Sequence, residues 1–302
     1  MQKIFEFLHL AWRQQDAVYR VGRLFSALFS GGFSFKKLVA VAVAFAEMFG
    51  CVLFDLPLTP SGQELNLDGY SLVFFDDFDG EALNTDVWYH RGQGPRRNGA
   101  NCESQVKVED GNLVITCEYL EDGAYGAGWY AAAISLFETY NRGYFEIRCK
   151  CNDGGEFWSA FWIQADHPYD HELSKGGVGG AELDIFEAPY GGKTNSSLRN
   201  SVTQTIHCNG GDDDPDRLDS RMLGVFKGNN IYEEYNTYGL EWTEDEYIFY
   251  INGVETARSS FSKGVSQENE HVIVSLEIPD EITHEKDFTS QFIVDYVKIY
   301  QK

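Results

Sequence analysis

The chain has 302 residues, 43% hydrophobic and 15% aromatic, with 30 glycines, 22 phenylalanines and 17 tyrosines. That composition suits one large domain built of strands and turns rather than a helical bundle. A formal charge of −23 argues against nucleic acid, whose phosphates are met by clustered Lys and Arg. It also sets a repulsion against polyanionic chains that a neutral polysaccharide does not meet.

Residues 1–60 differ from the rest. The first 50 carry six Lys and Arg against three Asp and Glu, net +3, leaving −26 for the remainder. Ile4, Phe7, Leu8, Ala11, Val18, Val21, Phe25 and Leu28 recur at helical spacing, with Arg13, Arg20 and Arg23 elsewhere on the turn. A basic amphipathic helix of this kind either lies on a membrane surface or packs on the domain, and the pattern leaves both open. Lys36-Lys37 then precede the apolar run Leu38–Ala46, which ends in Ala44-Phe45-Ala46 and reads as a signal peptide. The run is too short to span a bilayer, and a buried helix or strand is the alternative. Export or cell-surface attachment is the expectation. Cys51 follows, but Glu47 and Phe49 fit a lipoprotein signal poorly.

From about residue 70 short strands follow one another. Ser71–Phe75, Gln105–Val108, Leu113–Cys117, Ala132–Phe137, Gly143–Cys151, Phe157–Gln164, Glu182–Phe186, Ser201–His207, Tyr235–Trp242, Tyr247–Ile251, His271–Glu277 and Phe292–Tyr300 alternate or run apolar. Turn signals separate several of them, among them Glu109-Asp110-Gly111, Asn152-Asp153-Gly154-Gly155 and Asn252-Gly253. Strands without intervening helices predict an all-β, two-sheet sandwich over residues 61–302. The six cysteines (Cys51, Cys102, Cys117, Cys149, Cys151, Cys208) have no metal-site spacing. They read as scattered core thiols, with disulfides left open. His167 and His171 flank Pro168, which breaks a helix, and Asp212-Asp213-Asp214 reads as a solvated loop.

The strand at Glu182 carries the chemistry. In Gly179–Pro189, Glu182, Asp184 and Glu187 are separated by Leu183, Ile185 and Phe186. Successive strand side chains point to opposite faces, so Glu182 and Asp184 share one face. Glu187 falls on the wrong face unless one extra residue, a β-bulge around Ile185-Phe186, brings it back. Glu182 and Glu187 would then stand about 13 Å apart at Cα, at ~3.3 Å per step. Two glutamates leaning together can narrow that to the ~5–5.5 Å that a retaining glycosidase needs between nucleophile and general acid. Asp184 between them would orient the nucleophile and help keep the acid protonated. Taken alone, the run reads equally well as an acidic edge-strand face.

With these strands in order, the chain resembles glycoside hydrolase family 16, in its branch with the pattern Glu-x-Asp-x-x-Glu. The resemblance rests on Phe75–Gly80, Val108–Leu113, Tyr140–Arg148, Glu156–Trp162, the Glu182 strand, Tyr238–Thr243, Ile251–Gly253 and Val294–Tyr300. It covers roughly residues 70–302 and implies a jelly-roll sandwich of the concanavalin A type with a sugar-binding groove. It makes Glu182 the nucleophile, Asp184 its helper and Glu187 the acid/base, the residues that the spacing had already singled out. Trp158 and Trp162, four apart and so on one strand face, would offer flat surfaces to sugar rings, although tryptophan also fills cores. His207 resembles a position that contacts sugar near the cleavage point. Cys208 departs from relatives that carry Trp there. Asn101 and Glu103 resemble a groove-edge motif that binds hydroxyls.

The resemblance implies no cofactor for catalysis and a structural calcium held by the Asp77 and Gly111 carbonyls and the Asp295 carboxylate, oxygen ligands that suit that ion. It implies a polysaccharide partner and a monomer. The activity expected is retaining, endo-acting hydrolysis of β-1,3- or mixed β-1,3/1,4-glucan. The same mechanism on a β-galactan is the alternative, selectivity lying in loops 165–180, 191–200 and 209–234. Transglycosylation would use the same residues. A non-catalytic lectin would use the same sandwich.

Overall fold

The computed structural model describes residues 65–166, 177–188, 200–209, 218–261 and 264–302. The amphipathic segment, the apolar run and the boundary near residue 60 lie outside these residues, as do His167, His171 and Asp212 to Asp214.

In chain order the strands are β1 (Ser71–Asp76), β2 (Trp88–Arg91), β3 (Gly94–Arg96), β4 (Gly99–Asn101), β5 (Val106–Glu109), β6 (Asn112–Leu120), β7 (Gly128–Tyr140), β8 (Gly143–Lys150) and β9 (Trp158–Ala165). They continue as β10 (Glu182–Glu187), β11 (Ser201–Asn209), β12 (Leu218–Lys227), β13 (Asn236–Trp242), β14 (Tyr247–Ile251), β15 (Val254–Ser259), β16 (Glu270–Glu277) and β17 (Thr289–Gln301). Every expected strand is present. Those not anticipated are short (β2, β3, β4), have few apolar residues to set a period (β15) or, in β12, fall within the stretch 209–234 read as a loop.

One sheet runs β12-β11-β10-β9-β16-β7-β2, antiparallel throughout. The other runs β15-β14-β13-β8-β17, with β1 and β6 sharing the far side of β17. β7 links them: its first residues pair with β6 and β4, and its remainder pairs with β16 and β2. Alternation explains the layering, since each strand turns one side chain in two toward the opposite sheet. Phe161, Ile163, Leu183, Ile185, Phe186, Val202 and Ile206 of the first sheet are buried with Ile147, Tyr238 and Leu240 of the second. Phe186 and Tyr238 stack across the gap, ring centroids 4.1 Å apart. The other face of the first sheet is left to present polar side chains. Cys102, Cys117, Cys149, Cys151 and Cys208 are free and buried, as core thiols should be.

Candidate active site

Against β9, Glu182 pairs with Gln164, Leu183 with Ile163 and Asp184 with Trp162. The register then slips: Phe186 pairs with Phe161 and Glu187 with Ala160, so Ile185 is the extra residue. The partner β11 shows the same slip between Asp184 and Glu187. Ile185 and Phe186 are both wholly buried, as expected where a bulge turns two consecutive side chains away from the groove. Glu187 therefore returns to the face of Glu182 and Asp184. All three line a cavity of about 340 Å³.

Each carboxylate has its own partners. Glu187 Oε1 accepts from Trp158 Nε1 at 2.9 Å. Asp184 Oδ2 lies 3.0 Å from His207 Nε2, and His207 Nδ1 lies 2.6 Å from Ser220 Oγ. Glu182 Oε2 accepts from Gln164 Nε2, and Gln164 Oε1 accepts from Arg91 Nη2 at 2.6 Å. Trp162 Nε1 donates to Ser275 Oγ at 3.0 Å. Also lining the cavity, buried Glu277 accepts from Arg96 Nε at 2.9 Å and Arg97 Nη1 at 2.8 Å.

The protonation pattern follows from this crowding. Burial, then the nearby charge of Asp184, pushes the Glu187 carboxyl up to about 7, against the opposing Trp158 hydrogen bond. Burial also raises Asp184, to about 6, despite the stabilising bond from His207. Burial works against charge on His207, but its bond to Asp184 and the surrounding carboxylates outweigh this and raise its pKa. A carboxyl that stays protonated near neutrality, beside other acids on one strand face, is equipped to give a proton to a leaving group.

Trp158, Trp162 and Asn101 line the cavity with the carboxylates. Asn101 Oδ1 is buried without a protein partner. Glu103 is exposed and is not among the cavity-lining residues. His207, which pairs with Glu182 across the β10–β11 ladder, joins the site through Asp184 and is not among the cavity-lining residues. Cys208 is wholly buried, so position 208 turns away from the groove whatever it carries. Arg97 lies over the Trp158 ring at 4.8 Å and Arg91 over Trp162 at 5.3 Å, a feature the sequence did not signal.

Among the described residues, Glu182, Asp184 and His207 form a group of potential metal ligands, their donor atoms within 4.8 Å of one another. The calcium positions are also brought together. The pairings of Asp76 with Val297 and Leu113 with Val294 carry Asp77 and Gly111 to the stretch of β17 that holds Asp295. The Asp295 carboxylate accepts from Arg148 Nη1 at 2.5 Å. A cation there would have to share that carboxylate with a guanidinium.

The family model described as "Beta-porphyranase A-D, GH16 domain" matches residues 73–301. Glucan endo-1,3-beta-glucosidase A1 of Niallia circulans is 23% identical over 274 residues, which is 78% of this chain and 38% of that protein. Beta-porphyranase E of Zobellia galactanivorans is 28% identical over 196 residues, 60% of this chain and 65% of that one. The chain thus spans less than two thirds of the length of these relatives. Porphyranase B of Zobellia galactanivorans has the same fold: TM-score 0.63 at 19% identity, covering 81% of this chain and 98% of that one.

Proposed function

The chain belongs to glycoside hydrolase family 16, and from that premise we propose that it is a retaining, endo-acting glycosidase that cleaves β-1,3- or mixed β-1,3/1,4-glucan. The observation that carries the reading is the bulge: it puts Glu182, Asp184 and Glu187 on one face of β10, with Glu187 held protonated toward neutrality. Glu182 attacks the anomeric carbon as the glycosidic bond breaks, and Glu187 gives its proton to the departing oxygen. Glu187, now ionised, takes a proton from water, which attacks the same carbon and releases Glu182. Burial keeps Glu187 protonated, and Asp184, anchored by His207, adds to this with its nearby charge. Trp158 and Trp162 offer ring surfaces to the sugar, and Asn101 lines the same cavity.

Glu182→Gln should abolish release of reducing ends while leaving the thermal unfolding midpoint within a few degrees of wild type. Full activity in that variant would remove Glu182 from the mechanism. A second reading, the same chemistry on a β-galactan, is favoured by the porphyranase-type family model. A panel of soluble glucans and galactans, scored by reducing ends, separates the two. Export or surface attachment through residues 1–60 is proposed on sequence alone, and is tested by fractionating cells that express the full chain.

A further inference from the structure

A carboxylate nucleophile attacks along a lone pair, so the rotation of its plane matters as much as its position. Gln164 pairs directly with Glu182 across the β9–β10 ladder, and its Nε2 donates to Glu182 Oε2. A glutamine side chain can present either end of its amide. Here Oε1 is engaged by Arg91 Nη2 at 2.6 Å. Guanidinium has donors only, so a flipped amide would set N–H against N–H at Arg91 and C=O against the carboxylate at Glu182. Arg91 is itself placed by its position over Trp162, whose Nε1 is tied to Ser275. The contact chain crosses from the edge strand β2 to the strand that bears the nucleophile.

We infer that Gln164 is a positioning residue that holds the Glu182 carboxylate in its attacking orientation, and that Arg91 acts through Gln164 by fixing which end of the amide faces Glu182. This rests on Glu182 being the nucleophile. Gln164 orients the carboxylate, so its loss appears in kcat, because a misoriented nucleophile still lets sugar bind but attacks slowly. Arg91 contributes nothing once Gln164 is gone. A guanidinium that instead bound sugar directly would lower affinity independently of Gln164.

The test uses Gln164→Leu, Gln164→Met, Arg91→Met, Arg91→Lys and the double variant Arg91→Met/Gln164→Leu. Each is assayed on the polysaccharide chosen by the panel and on an aryl glycoside of its oligosaccharide, whose phenolate leaves without a proton from Glu187. Gln164→Leu should lower kcat on both substrates about 10- to 100-fold, with KM within about twofold. Arg91→Met should lose less, Arg91→Lys should recover most of that loss, and the double variant should be no slower than Gln164→Leu. Gln164→Met, of similar reach, covers the case in which Gln164→Leu fails to fold. Unchanged kcat in the Gln164 variants, or a KM effect of Arg91→Met that adds fully to Gln164→Leu, overturns the inference. An inactive Glu182→Gln beside unimpaired Gln164 variants would sink this inference alone; an active Glu182→Gln would sink the nucleophile assignment.

Discussion

Glu187 shows how one residue's surroundings set its chemistry. Burial and the charge of Asp184 hold its proton on, while Trp158 Nε1 favours the ionised form by donating to Oε1 at 2.9 Å. Burial is the largest of these effects, so the carboxyl sits near 7 rather than near its ordinary 4.5. A general acid works while protonated, so kcat/KM should fall as pH rises through about 7. Trp158→Phe keeps the ring and removes the donor. A hydrogen bond to a charged group is worth roughly 1.5–3 kcal/mol, and one pKa unit about 1.4 kcal/mol. The alkaline limb of the pH profile should therefore move up by about one unit in that variant. A limb that stays in place or moves down would mean that the Trp158 bond does not govern the proton.

At the scale of the element, β10 works because its bulge spends two consecutive positions on the core. Phe186 stacks on Tyr238 and meets Phe292 edge-on, tying the catalytic strand to the opposite sheet immediately before Glu187. Phe186→Ala should cost about 3–5 kcal/mol, read as a lower denaturant midpoint. A loss under ~1 kcal/mol would show that the opposite sheet closes over the space. The bulge was legible because period-two alternation leaves a five-residue spacing unexplained without it. Trp158 and Trp162 were legible for the same reason, by sharing a strand face. Gln164 lies two positions beyond Trp162 on that face, but a neutral amide signals no chemistry until its pairing with Glu182 is known. Arg91, Arg96 and Arg97 left no trace, since Arg96 and Arg97 meet Glu277 across some 180 residues of chain and no local period links segments that distant.

At the scale of the whole molecule, acids buried around the catalytic sheet tie stability to pH. Burial pushes Asp184 up to about 6, Glu187 to about 7 and Glu270 to about 8. Glu270 lies under the start of the catalytic strand, its Oε1 accepting from Ala181 N at 3.1 Å. All three folded-state values lie above the ordinary values of 3.8 to 4.5. Groups shifted this way contribute stability that is fully present below about pH 4 and is lost as pH rises through 6 to 8, because the unfolded chain ionises first. The formal charge of −23 acts in the same direction, since self-repulsion grows as carboxyls ionise. The thermal midpoint should therefore be higher at pH 5 than at pH 8.5. Glu270→Gln keeps an acceptor for Ala181 and removes the ionisation, so it should gain on the order of 1–3 kcal/mol over wild type at pH 8.5 and much less at pH 5. Calorimetry of both proteins at the two pH values decides it: an equal effect at both would assign Glu270 a packing role with no proton linkage.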